Sequence, residues 1–154
     1  MQPKLVEHGP LSVVGISVRT SNQEEGDPQT ARIPGLWQRY FADGVANRIP
    51  ARLDDGTILG VYTDYAGDHT GPYTLVVGQA VNDTSELPED LVCVTVPHGR
   101  YLLFTSASGA PEAIRATWQQ IWRHFEQPGA PRRAYTSDLE VHRAGTLEVY
   151  VAVR

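Results

Sequence analysis

Apolar residues along this chain either alternate with polar ones or recur three and four apart, and the two periods mark out its elements in order. Residues 11–18 (LSVVGISV) are β-branched and apolar and predict a strand, followed by a polar loop over 21–30. Ile33, Leu36, Trp37, Tyr40 and Phe41 then fall on one helical face, with Pro34 tolerable in the first turn. Residues 57–64 and 73–81 read as strands joined by the turn-rich segment 66–72. The first half is thus β-α-β-β. After an acidic connector over 82–90, strands are predicted at 91–96 and 100–106, broken at Pro97-His98-Gly99. Ile114, Trp118, Ile121, Trp122 and Phe125 mark a second helical stripe, which Pro128-Gly129 ends. Strands over 138–143 and 146–154, around Ala144-Gly145, complete a second β-α-β-β unit.

The units echo each other locally. TLVVGQAV (74–81) and TLEVYVAV (146–153) agree at five of eight positions, and Leu36-Trp37-Gln38 parallels Thr117-Trp118-Gln119. With the matching order of elements, this favours an internal duplication, over about 11–81 and 91–154. Antiparallel hairpins plus one helix per half predict an α+β fold.

A length of 154 residues fits one domain over 1–154 that buries a core without disulfide or metal staples. A formal net charge of -5 argues against a broad phosphate-binding surface, and Cys93, the lone cysteine, against a disulfide framework. The start, MQPKLVEHG, lacks a signal-type apolar segment and no run reaches membrane-spanning length, so a cytoplasmic protein is expected. On the same ground Asn82-Asp83-Thr84 reads as a turn rather than a glycosylation site.

Common catalytic motifs are missing. The glycines are scattered over turns, the five histidines form no i,i+4 pair, and Ser106-Ala107-Ser108-Gly109 is not a nucleophile elbow. No metal, cofactor or direct nucleic-acid contact is expected, and Arg132-Arg133 reads as a solvated loop. What the chain does supply is aromatic side chains. Trp122 and Phe125 fit the core stripe of the second helix; Trp118 and Trp122 together exceed what one stripe needs, so one of them could line a cavity. In Asp138-Leu139-Glu140-Val141-His142 the strict alternation predicts an ordinary half-solvated strand, and Glu148 has the same standing.

Seven stretches, taken in order, resemble the GyrI-like family of effector-binding domains, found alone or fused to AraC-type and MerR-type regulators. They are VVGISVRTSN (13–22), IPGLWQRY (33–40), LGVYTDYAGDHTGPYTLVVGQAV (59–81), VPHGRYLLFTSASG (96–109), TWQQIWRHF (117–125), DLEVH (138–142) and LEVYVAVR (147–154). The resemblance covers nearly the whole chain. It implies a duplicated β-α-β-β fold, with one curved antiparallel sheet, two main helices and a ligand cleft between the halves. It also implies an aromatic cleft that takes lipophilic cations through one glutamate, which falls on Glu140. His142 stands where relatives usually carry tyrosine. Trp37 matches the first-helix tryptophan of the family, Tyr101 and Phe104 match its aromatic strand, and Tyr150 is a plausible wall residue. The expected function is a stand-alone binding module for aromatic cations, which sequesters drugs or senses an effector. Two alternatives share the resemblance: a hydrolase of strained, cyclopropane-type natural products, and a protein that binds DNA gyrase. With no DNA-binding segment, the chain is expected to act through a partner if it regulates transcription.

Overall fold

The computed structural model describes residues 3–53, 56–106 and 108–154; the first two residues of the N-terminal stretch and Ala107 of the Ser106–Gly109 motif lie outside it. Eight strands, β1 (Lys4–His8), β2 (Leu11–Thr20), β3 (Ile58–Thr63), β4 (Tyr73–Val81), β5 (Val92–Val96), β6 (Gly99–Ser106), β7 (Ser137–Arg143) and β8 (Thr146–Ala152), form one antiparallel sheet. Four helices accompany it: α1 (Asn22–Glu25), α2 (Ile33–Ala42), α3 (Val45–Arg48) and α4 (Pro111–Glu126).

The strand order β1-β6-β8-β7-β3-β4-β2-β5 reads symmetrically outward from the central β7–β3 pair. Each inner trio, β2-β3-β4 or β6-β7-β8, comes from one half of the chain. The outermost strands are exchanged: β1 precedes β2 in sequence but pairs with β6, and β5 precedes β6 but pairs with β2. This exchange makes a flat sheet impossible. β1 and β2 lie six places apart, roughly 29 Å at the usual interstrand spacing, yet only Gly9 and Pro10 join them, a reach of about 11 Å. Pro97 and His98 impose the same limit on β5 and β6. The sheet therefore curls until its two ends meet.

The links cross at the meeting point. Gly9 has φ +87°, and a Cβ there would lie 2.7 Å from the Pro97 carbonyl oxygen, so only glycine fits. The Tyr101 hydroxyl donates to that same oxygen at 2.6 Å. Inside the curl, a helix-free core gathers Val96 and Tyr101 from the ends of the sheet with Leu59, Val61, Leu139 and Val141 from its middle. The other face carries the helices. α2 sets Leu36 and Tyr40 on Val14, Leu75 and Val77, while α4 sets Ile121 on Phe104, Leu147 and Val149.

The inner strands and main helices stand within a residue or two of where periodicity puts them. Three features differ. β1 has no counterpart in the sequence reading. The segment 21–30 contains α1, whose first turn is capped by the Ser21 hydroxyl accepting from the Glu24 amide. Phe41 leaves the apolar stripe and is 63% exposed, because α2 ends at Ala42 and its core face closes with Tyr40.

β2 and β4 set glycine against glycine at Gly15 and Gly78, where an added Cβ would sit 2.0 Å from the facing carbonyl oxygen of Val77 or Val14. Gly78→Ala is expected to cost at least ~2 kcal/mol in urea unfolding, since the obstacle is backbone. Gly67→Ala, with open space around it, should stay within about 0.5 kcal/mol of wild type.

Candidate functional site

The centre of the molecule is the β3–β7 pair, and its middle rung is Gly60 opposite Glu140. The registers Leu59 with Gly78 and Leu139 with Tyr150 make Gly60 the counterpart of Glu140 in the other half. The pseudo-twofold axis thus runs between them. A Cβ on Gly60 would lie 3.2 Å from Glu140 Oε1, so the glycine leaves the space that the carboxylate fills.

Glu140 is only 2% exposed. Tyr62 Oη donates to its Oε2 at 2.9 Å, Trp118 Nε1 donates to the same oxygen at 2.6 Å, and His142 Nε2 lies 2.8 Å from Oε1. Tyr62 on β3 corresponds to His142 on β7. Each meets the helix tryptophan of the opposite half edge-on: Tyr62 with Trp118 at 5.2 Å, His142 with Trp37 at 5.0 Å. The alternating pattern of β7 does not leave its polar side half-solvated as expected, because helices cover one face and the curl covers the other.

Asp138, two residues earlier on the same face, is fully buried. Its carboxylate accepts from Tyr65 Oη at 2.5 Å, from Arg133 Nη2 at 2.6 Å and from the Ala152 amide at 2.9 Å. Arg133, expected in a solvated loop, is instead 7% exposed, with its guanidinium 4.6 Å from the Tyr135 ring centroid. Burial, and then the Glu140 charge, pushes the Tyr62 phenol well above its ordinary range; burial and Asp138 do the same to Tyr65. Both phenols remain neutral donors.

In front of Tyr62 and Trp118, between the start of α2 and one side of α4, opens a cavity of about 340 Å³. Tyr65, Tyr73 and Trp122 continue its aromatic wall, and Ile33, Pro34 and Ile114 add apolar surface. Glu25 lines it too, accepting from the backbone amides of Arg32 and Ile33 where α2 begins. Tyr73 registers the resulting field: its phenol is raised first by burial, then by Glu25, Glu140 and Glu24.

The residues singled out from sequence separate here. Trp118 lines the cavity, Glu140 stands directly behind that wall, and Trp37 reaches Glu140 only through His142. Tyr101 and Tyr150 belong to the helix-free side of the sheet, and Phe104 packs beneath α4 against Phe125. None of these three lines the aromatic cavity. Trp122, expected in the core, is 36% exposed at the rim. Tyr62, Tyr65 and Tyr73 went unnoticed because each is an ordinary strand or turn residue; three tyrosines around one hairpin loop were the available signal. Among the described residues no cluster of ligating side chains suits a metal ion, and no helix is long and apolar enough to cross a membrane.

The curved eight-stranded antiparallel sheet, with its helices on one face, defines an α+β effector-binding protein of the GyrI-like fold. More narrowly, residues 4–153 match the Cass2 family model, integron-associated effector-binding protein, and the chain belongs to that family. It is 28% identical to the putative transcriptional regulator protein YobU of Bacillus subtilis (strain 168), over 91% of this chain and 90% of that one. An integron cassette protein from the mobile metagenome of Vibrio cholerae superposes with a TM-score of 0.85 at 30% identity, covering 99% of this chain and 96% of that one. SAV2435, solved bound to tetraphenylphosphonium, superposes with a TM-score of 0.80 at 19% identity, over 100% and 94% of the two chains.

The buried phenols make alkaline stability a readout of this site. An unfolded tyrosine ionises near pH 10. Phenols whose native values are raised, Tyr62 and Tyr65 foremost, stabilise the fold fully below that pH, and the contribution is lost as pH climbs past it. Absorbance at 295 nm should therefore show far fewer than seven tyrosinates at pH 10.5. The remainder should appear together with the loss of native circular dichroism, and Tyr62→Phe should lessen the alkaline decline.

Proposed function

We propose that this protein captures lipophilic aromatic cations in the cavity walled by Tyr62, Tyr65, Tyr73, Trp118 and Trp122, with Glu140 as the charge that selects them. The observation that carries the reading is the environment of Glu140: it is 2% exposed, two of its three partners are a neutral phenol and a neutral indole, and it lies one side chain behind an open aromatic wall. Neutral donors disperse a buried charge without cancelling it, and an uncancelled buried carboxylate is costly. A cation against Tyr62 and Trp118 would lie roughly 6 Å from the carboxylate, an attraction of about 3 kcal/mol at an effective dielectric of 20. Each ring face presented to the cation adds roughly 0.5–2 kcal/mol.

This recognition reads charge and flatness, not a pattern of hydrogen bonds, so it suits a broad range of guests. SAV2435, of the same fold, was solved with such a cation bound, which supports the ligand class. His142 completes the shell around Glu140 and is braced by Trp37, so these two position the carboxylate and do not touch the guest. In the cell such a module serves either to report an effector or to sequester a toxic cation.

Tetraphenylphosphonium and tetraphenylborate share shape and carry opposite charges, which isolates the role of Glu140. The phosphonium ion should quench tryptophan fluorescence and bind at least tenfold more tightly than the borate. Glu140→Gln, with native circular dichroism, should weaken phosphonium binding at least tenfold, about 1.4 kcal/mol. Equal affinity for the two ions, or an unchanged Glu140→Gln variant, would overturn the proposal.

A further inference from the structure

Beside the aromatic cavity lies a second one of about 330 Å³, and His69, Trp122 and Arg133 line both. It is the more basic of the two: the charged side chains lining the aromatic cavity are Glu25, Arg115 and Arg133. Arg132, Arg133 and Arg154 line the second, with Glu126 as the lone acidic side chain among its lining residues. The Arg133 charge is partly taken up by Asp138 behind it, but its buried Nε has no hydrogen-bond acceptor among the described residues. The Arg132 and Arg154 side chains have no ion-pair partner among the described residues, and the Arg154 main-chain oxygen accepts from Arg100. Phe125, Pro131 and Tyr135 supply apolar surface between these charges.

The two chambers together form a bipolar site: an aromatic chamber backed by Glu140, and an annex rimmed by arginines, meeting at Trp122 and Arg133. We infer that the preferred guest is amphoteric, an aromatic cation carrying a carboxylate on a short apolar tether, with the carboxylate seated in the annex among Arg132, Arg133 and Arg154. Guanidinium groups suit this task because their planar donors match a carboxylate in pairs. Trp122, shared by the two chambers, gives a hydrocarbon tether an apolar surface to lie on. The inference rests on the reading of the aromatic chamber given above and extends it, since a simple cation would use only half of the site.

The test uses the whole chain and a matched series of probes: (carboxyalkyl)triphenylphosphonium zwitterions with one to six methylenes, each beside its methyl ester, with tetraphenylphosphonium as the reference. Calorimetry in low salt should find a tether length at which the acid binds at least fivefold more tightly than its own ester. The combined Arg132→Ala and Arg154→Ala variant leaves the Arg133–Asp138 pair intact. With Arg133 left in place, it should cut that difference at least twofold while keeping the ester within twofold of wild type, and added salt should shrink the advantage of the acid. Acids that bind no better than their esters at every length would overturn the annex, as would arginine replacements that weaken acid and ester equally. Binding of tetraphenylphosphonium and the esters without any gain for the acids would sink the annex alone. Failure of tetraphenylphosphonium itself to bind would take down both readings.

Discussion

Two links of two residues each govern this molecule. Gly9-Pro10 and Pro97-His98 tie strands that sit at opposite ends of the sheet, and no flat arrangement satisfies them. Curling closes the helix-free face over a core of valines, leucines and Tyr101, so that face needs no helices. Both helices are then free to lie on the other face, one from each half, and the central strands run between them. Everything polar on the helix-facing side of β7 is interior as a result.

That side of β7 carries two buried acids, and their surroundings treat them differently. Asp138 receives an arginine, a phenol and a backbone amide, which together match its charge and fill its lone pairs. It has the character of a structural pair, costly to break. Glu140 receives a phenol, an indole and an imidazole. None of the three is a fixed cation like the arginine on Asp138. The contrast between neighbours on one strand is what singles out Glu140, more than burial alone.

Local pattern was enough for most of the architecture. Alternation located the inner strands, the 3.6-residue stripe located α2 and α4, and the echo of 74–81 in 146–153 marked the two halves. β1 escaped because KLVEH is short and mixes exposed with half-buried positions, as an edge strand does. The exchange of outer strands escaped because pairing partners leave no trace in periodicity. Alternation also misjudged Asp138 and Glu140: a polar face signals water only when nothing packs on it, and here α4 and the aromatic residues do. Arg133 was misjudged for a similar reason, since adjacent basic residues look alike in sequence while one points into the protein and the other out. For the site, the family likeness supplied Glu140 and Trp37, while the tyrosines of β3, β4 and their connecting loop emerged only when the curl brought them together.

The pairing of Gly60 with Glu140 on the pseudo-twofold axis shows what exact symmetry would forbid. A homodimer of one short β-α-β-β polypeptide would have to place the same amino acid at both positions: two glutamates would repel each other in the crowded interior, and two glycines would offer no charge. A solitary carboxylate on the axis is available to a single chain, whose two halves differ in sequence. Carrying both halves in one chain therefore allows a chemical asymmetry that no symmetric assembly of identical chains can build.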